Sequence, residues 1–180
     1  MHEQYCLIYR LYIIFYQKIT DIYATSVDYD SKSPITIKFF KKVQNKIHYA
    51  IHGETAAEVI YHRADAEKEF MGLTTFTGNQ PTLHEAKIAK NYLNEKEMRA
   101  MGQLVSGYLD FAERQAEREI AMTMSDWAKH LDNILTMSGE KLLSGNGSVT
   151  HKEAMLKAEN EYKRISVELN EKNNTITILL

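Results

Sequence analysis

The densest group of chemically capable side chains lies in HYAIHGETAAEVIYHRAD, from His48 to Asp65. His48 and His52 are four apart, so on a helix they project from one face. Glu58 and His62 repeat that spacing a few residues later. Two such pairs can hold a divalent metal, as helix-borne imidazoles and carboxylates do, with His48 and His52 as the expected ligands. The protease arrangement H-E-x-x-H is excluded, because Tyr49 stands where its glutamate must be. Arg63 and Asp65 complete the candidate cluster His48, His52, Glu58, His62, Arg63 and Asp65. The simpler assignment is structural, with the imidazoles near a helix C-terminus, where a protonated ring suits the helix dipole. No cofactor is predicted beyond that metal option.

A second group is cationic. Lys38, Lys41, Lys42 and Lys46 give one helix a basic face that can neutralise phosphates, although an exposed helix often looks the same. Nucleophilic catalysis finds little footing. Cys6 is the only cysteine and lies in an apolar run without a neighbouring base. No nucleophile elbow, Walker loop or dinucleotide fingerprint follows a strand signal. Gly145-Asn146-Gly147 echoes the end of a Fic-type motif, but the His-Pro-Phe that must precede it is absent.

Helical segments must position these groups. Ser33 and Pro34 open a helix on which Ile35, Phe39, Val43, Ile47 and Ile51 recur every four residues, and Gly53 closes it. Thr55, with Glu58 in the capping-box position, opens a short helix to Arg63. Residues 70–81 (FMGLTTFTGNQP) read as an ordered loop or small hairpin, and Thr82 with Glu85 starts a brief helix through Asn91. Asn94 and Glu97 begin the most regular helix, with Met98, Met101, Val105, Tyr108, Ala112, Ala116 and Ile120 as its stripe. Ser125 and Asp126 open another, burying Trp127, Leu131, Ile134, Leu135 and Leu142, until SGNGS breaks it at 144–148. Thr150 and Glu153 cap a last helix with Met155, Ala158, Tyr162 and Ile165 inward. The closing NNTITILL reads as a strand or a tail.

The expected fold is therefore all-α, a single-domain bundle of about six helices with short loops. Its 180 residues, 44% hydrophobic and 26% charged, suit one core without disulfides. A formal charge of -2 gives no global pull toward nucleic acid. YCLIYRLYIIFY (5–16) is too short for a membrane span, which needs roughly twenty residues, and lacks a signal-peptide cleavage site. It reads as a buried helix, and the single cysteine fits a reducing cytoplasm.

Long strings resemble the RhuM family of virulence proteins: YQKITDIYATSVDYD from Tyr16, FFKKVQNKIHYAIHGETAAEVIYHRAD, MGLT at Met71, AKNYLNEKE at Ala89, YLDFAERQAERE at Tyr108, MTMSDWAKHLD at Met122 and HKEAMLKAENEYKRI. The resemblance divides the chain into a divergent segment 1–15, a RhuM-like helical domain 16–166 and a C-terminal tail 167–180. Family members are usually longer, with an N-terminal portion resembling the DNA-binding domains of phage antirepressors. That portion is absent here, so its DNA-reading role is not carried over, and residues 1–15 fit a truncated frame or an alternative start. The resemblance implies association with bacterial virulence loci and supplies no catalytic residues. Lys90, Asn91, Asp110, Glu113, Asp126 and Trp127 fall inside the matching strings.

These readings favour a non-enzymatic helical module that binds a protein partner or a second copy of itself, in the bacterial cytoplasm or as a secreted effector. The alternatives are a metal-dependent hydrolase or nucleotide-modifying enzyme at His48–Asp65, and a nucleic-acid-binding regulator using the lysine face.

Overall fold

The computed structural model describes residue 17 and residues 20–178, with side chains through residue 167. The expected helix over Tyr5–Tyr16 and the environment of Cys6 lie outside the described residues. Among the described residues there is no strand, so the all-α expectation holds. None of their helices is long and apolar enough to cross a membrane. Contacts sort the chain into two compact units, each made of two separate stretches. One comprises the chain up to Thr55 with Glu95–Asn146; the other comprises Ala56–Asn94 with the chain from Gly147 onward.

In the first unit, helix α1 spans Pro34–His52. The Ser33 hydroxyl accepts the Ile35 N–H at 3.2 Å, and Pro34 occupies a position where no donor is needed. Gly53 ends the helix with φ +76°, and its N–H donates to the Tyr49 carbonyl at 2.8 Å, as a left-handed C-terminal glycine does. The buried face runs through Thr36, Val43, Ile47, His48 and Ala50. Ile35, expected inside, is 74% exposed. Fourfold spacing explains the error. It advances about 40° per step at 3.6 residues per turn, so Ile35 and Ile51 stand about 160° apart and one packed face cannot hold both.

Helices α4 (Glu95–Glu117) and α5 (Met124–Met137) complete that unit. Met101, Val105, Tyr108 and Ala112 are buried as expected, but Ala116 and Ile120 are exposed. The α5 cap is Thr123, two residues before the expected start. Its hydroxyl accepts the Asp126 N–H at 3.1 Å, while the Asp126 carboxylate accepts the Thr123 N–H and hydroxyl, a reciprocal capping box. Those bonds hold the Asp126 carboxyl below its usual range. Gly139 stops the helix at φ +76°, so Leu142 falls beyond it, 43% exposed.

Tyr23, on the helical stretch 20–24, is the hub of the core. Its ring meets Phe39 and Phe40 edge-on, at centroid distances of 5.0 Å and 5.6 Å, an arrangement that aromatic quadrupoles favour. Its hydroxyl lies 3.3 Å from that of Tyr108, and Tyr108 donates to the Trp127 carbonyl at 2.9 Å. One buried polar chain thus links residues 20–24, α4 and α5. The Val27 N–H to the Met122 carbonyl and the Met124 N–H to the Asp28 carboxylate pin the turn at 25–28.

The second unit packs helix α2 (Ala56–Arg63) against α6 (His151–Ile178). Ala154 and Ala158 are fully buried on α6, and such small side chains permit close helix approach. The expected inward set Met155, Tyr162 and Ile165 is only half-buried, because the face rotates to take in Glu161. Thr150 caps α6 as expected, its hydroxyl accepting the Glu153 N–H at 3.2 Å. The helix continues through Ile178, where a strand or tail was expected.

Between these helices lie a 3-10 turn (Glu69–Gly72), α3 (Leu83–Ala86) and a second 3-10 turn (Ala89–Tyr92). Phe70, Met71 and Gly72 are all left-handed, at φ +51°, +59° and +78°. An added Cβ on Gly72 would stand 2.6 Å from the Arg63 carbonyl oxygen, so only glycine fits. Glu85 closes the loop by accepting from the N–H and hydroxyl groups of both Thr77 and Thr82, at 2.7–2.8 Å.

Candidate functional site

The His48–Asp65 cluster falls on both sides of the boundary between Thr55 and Ala56. In the first unit, His48 and His52 project from one face of α1 as the spacing requires. His48 Nδ1 and His52 Nε2 are 3.0 Å apart, and the rings meet edge-on. A bond of that length needs an N–H on one ring and a lone pair on the other. His52 Nδ1 faces the Glu54 carboxylate at 3.9 Å. Glu54 was not among the expected residues, although it lies just two positions beyond His52.

In the second unit, Glu58 is buried on α2 and accepts the backbone N–H and hydroxyl of Ser148, both at 2.6 Å. It thereby ties the stretch before α6 to α2. Arg63 donates to the Tyr92 carbonyl at 3.2 Å. His62 is exposed and its ring meets that of Tyr61. Asp65 accepts the Glu67 N–H and pairs with Lys68. Among the described residues, no group of three or more His, Cys, Asp or Glu side chains is arranged to hold a metal ion.

The lysine face is less uniform than its sequence. Lys38, Lys41 and Lys42 are exposed, but Lys46 reaches both Asp132 oxygens at 2.7 Å and tethers α1 to α5. Ile35 and Ile37 stand exposed beside the three outward lysines.

The structure adds a feature that spacing did not reveal, an open groove of about 400 Å³ within the first unit. Ile22, Leu109, Ala112, Met122 and Trp127 line it, and Ala116 and Ile120 extend its wall. Asp21 and Glu113 also line it, with no basic residue in the lining among the described residues. Trp127 is 3% exposed, and its indole N–H meets no acceptor among the described residues, an uncommon state for a buried donor. The signal was present in the α4 stripe. Ala112 and Ala116 carry it past Tyr108 with side chains too small to fill the space, and Ile120 follows the end of the helix. Such a surface can take up apolar side chains and favours a cation beside them.

No curated protein and no solved structure matches this chain. One family does: the virulence protein RhuM family matches residues 12–174, reaching beyond the strings from Tyr16 to Ile165 at both ends. Because that match spans most of the sequence, the chain belongs to the RhuM family of virulence proteins.

Proposed function

We propose that this RhuM-family chain works as a non-enzymatic helical interaction module that assembles with a second copy of itself. The open apolar groove of the first unit carries this reading. The lining combines Leu109, Ala112 and Trp127, from the helices that build the core, with Ile120, Ala121 and Met122 from the segment that joins α4 to α5. Val27, Ile35 and Met137 add exposed apolar surface to the same unit. Apolar surface removed from water on association contributes about 25 cal/mol for each Å², less the cost of ordering. Among the described residues, Asp21, Thr25 and Glu113 are the polar members of the groove lining, and the rest of it is apolar.

The test is light scattering coupled to size exclusion over a wide concentration range. The expected result is a mass that rises with concentration to that of a dimer. A strict monomer at every concentration would overturn the reading.

A further inference from the structure

Resting on that reading, we infer that the groove receives the N-terminal half of α1 from a second copy of the chain. The observation is a match of opposite surfaces within one unit. The groove has an apolar floor with Asp21 and Glu113 in its lining and no compensating cation among the described residues there. The first half of α1 offers the complement. Ile35, Lys38 and Lys42 are all exposed. They lie at i, i+3 and i+7, which places them within about 60° of one another around the helix.

In this contact the Ile35 side chain enters the groove against Ile120 and Trp127. The Lys38 and Lys42 ammonium groups then stand opposite the Asp21 and Glu113 carboxylates. Lys46 contributes nothing, because Asp132 of its own chain already holds it. The first unit carries both the donor face and the receiving groove. A two-fold dimer therefore makes the contact twice, with α1 of each copy in the groove of the other. Opposite charges at the rim fix register and partner choice, and like charges there oppose association.

A charge swap tests the pairing. One variant carries Lys38→Glu with Lys42→Glu, and the other carries Asp21→Lys with Glu113→Lys. All four side chains are exposed, so both variants should keep the helical circular dichroism of the parent, and that is checked first. Each variant alone should dimerise at least about tenfold more weakly than the parent, because both of its contacts then oppose like charges. Mixed in equal amounts they should recover dimer as a mixed pair, since each variant's altered surface meets its complement in the other. An Ile35→Ser variant should also weaken association without being rescued by either.

A parent dimer that neither charge variant weakens would overturn this interface and leave self-association standing. A parent that is monomeric throughout would instead remove the reading on which it rests. Weakened variants that stay apart when mixed would overturn the pairing. So would a parent that binds duplex DNA through Lys38 and Lys42 and stays associated when they are reversed.

Discussion

Removing one oxygen from the centre of the first unit should reveal how its three parts are joined. The substitution Tyr108→Phe keeps the buried ring, and with it the edge-on contact to Trp127 at 6.2 Å, so it opens no cavity of the kind that a large-to-small change leaves. It deletes the hydroxyl that donates to the Trp127 carbonyl at 2.9 Å and lies 3.3 Å from the Tyr23 hydroxyl. Burial pushes the Tyr108 phenol far above its usual range and Tyr23 up to about 12, so both stay protonated wherever the protein folds. A buried neutral bond contributes about 0.5–1.5 kcal/mol, and a partner left unsatisfied adds to the loss. Trp127 keeps its helical bond through the same carbonyl, whereas Tyr23 loses its link to α4. The sum is a loss of about 2 kcal/mol for Tyr108→Phe and about 1 kcal/mol for Tyr23→Phe. Because the two share one bond, the double variant should cost less than the sum of the singles. Trp127 is the only tryptophan, so urea unfolding followed by its fluorescence reports on this unit alone. A Tyr108→Phe variant within about 0.5 kcal/mol of the parent, or strict additivity with Tyr23→Phe, would refute the role of this chain of hydroxyls.

Other expectations concern the second unit and the helix interiors. Glu161 is 6% exposed and accepts from Lys157 at 2.7 Å, Arg164 at 2.8 Å and the Ala66 N–H at 3.0 Å. Its partners are partly solvated, so Glu161→Gln should cost about 2 kcal/mol rather than the full penalty of a dry pair; an unchanged thermal midpoint would contradict this. Gly72→Ala must place a Cβ against the Arg63 carbonyl at positive φ. It should destabilise by about 1–3 kcal/mol. Gly102 lies inside α4 with open space around a new methyl. Gly102→Ala should instead stabilise by about 0.5–1 kcal/mol, and matched denaturation curves of opposite sign check the pair. Partial burial pushes the Glu85 carboxyl up, but the hydroxyl and N–H groups of Thr77 and Thr82 outweigh it and lower the group from 4.5 to about 2. A lowered pKa gives stability that is present above about pH 4.5 and lost as the pH falls toward about 2. Glu85→Gln should flatten that acid limb, and an identical limb in the variant would count against the assignment.

What the chain disclosed about itself depended on how local the cause was. Caps formed by residues close in sequence were legible, as at Ser33, Thr82 and Thr150, because the bonds they make are intrasegmental. Burial was harder to read. Ile35 and Leu142 look like core residues by type, but α1 turns the first outward and Gly139 ends α5 before the second. Glu161 shows the converse, a charge drawn inside by Lys157, Arg164 and a distant backbone N–H that no spacing rule anticipates. His48 and His52 met as their interval demanded. The rest of their expected cluster lies past Thr55, where the chain passes into the other unit. The groove was least visible of all, since it arises where Ala112 and Ala116 leave space that residues 20–25 do not fill.

The interleaved path of the chain sets an order of events during synthesis. Neither unit is finished when its first stretch has been made. The early helix α1 waits for α4 and α5, and α2 waits for α6, which is the last described helix to leave the ribosome. Until then the part of α2 that packs on α6 has no cover, so a nascent chain halted before His151 presents apolar surface to whatever is nearby. Cleavage in the exposed stretch 144–148 would have an unequal effect, leaving the first unit with all its helices and separating α6 from the remainder of the second.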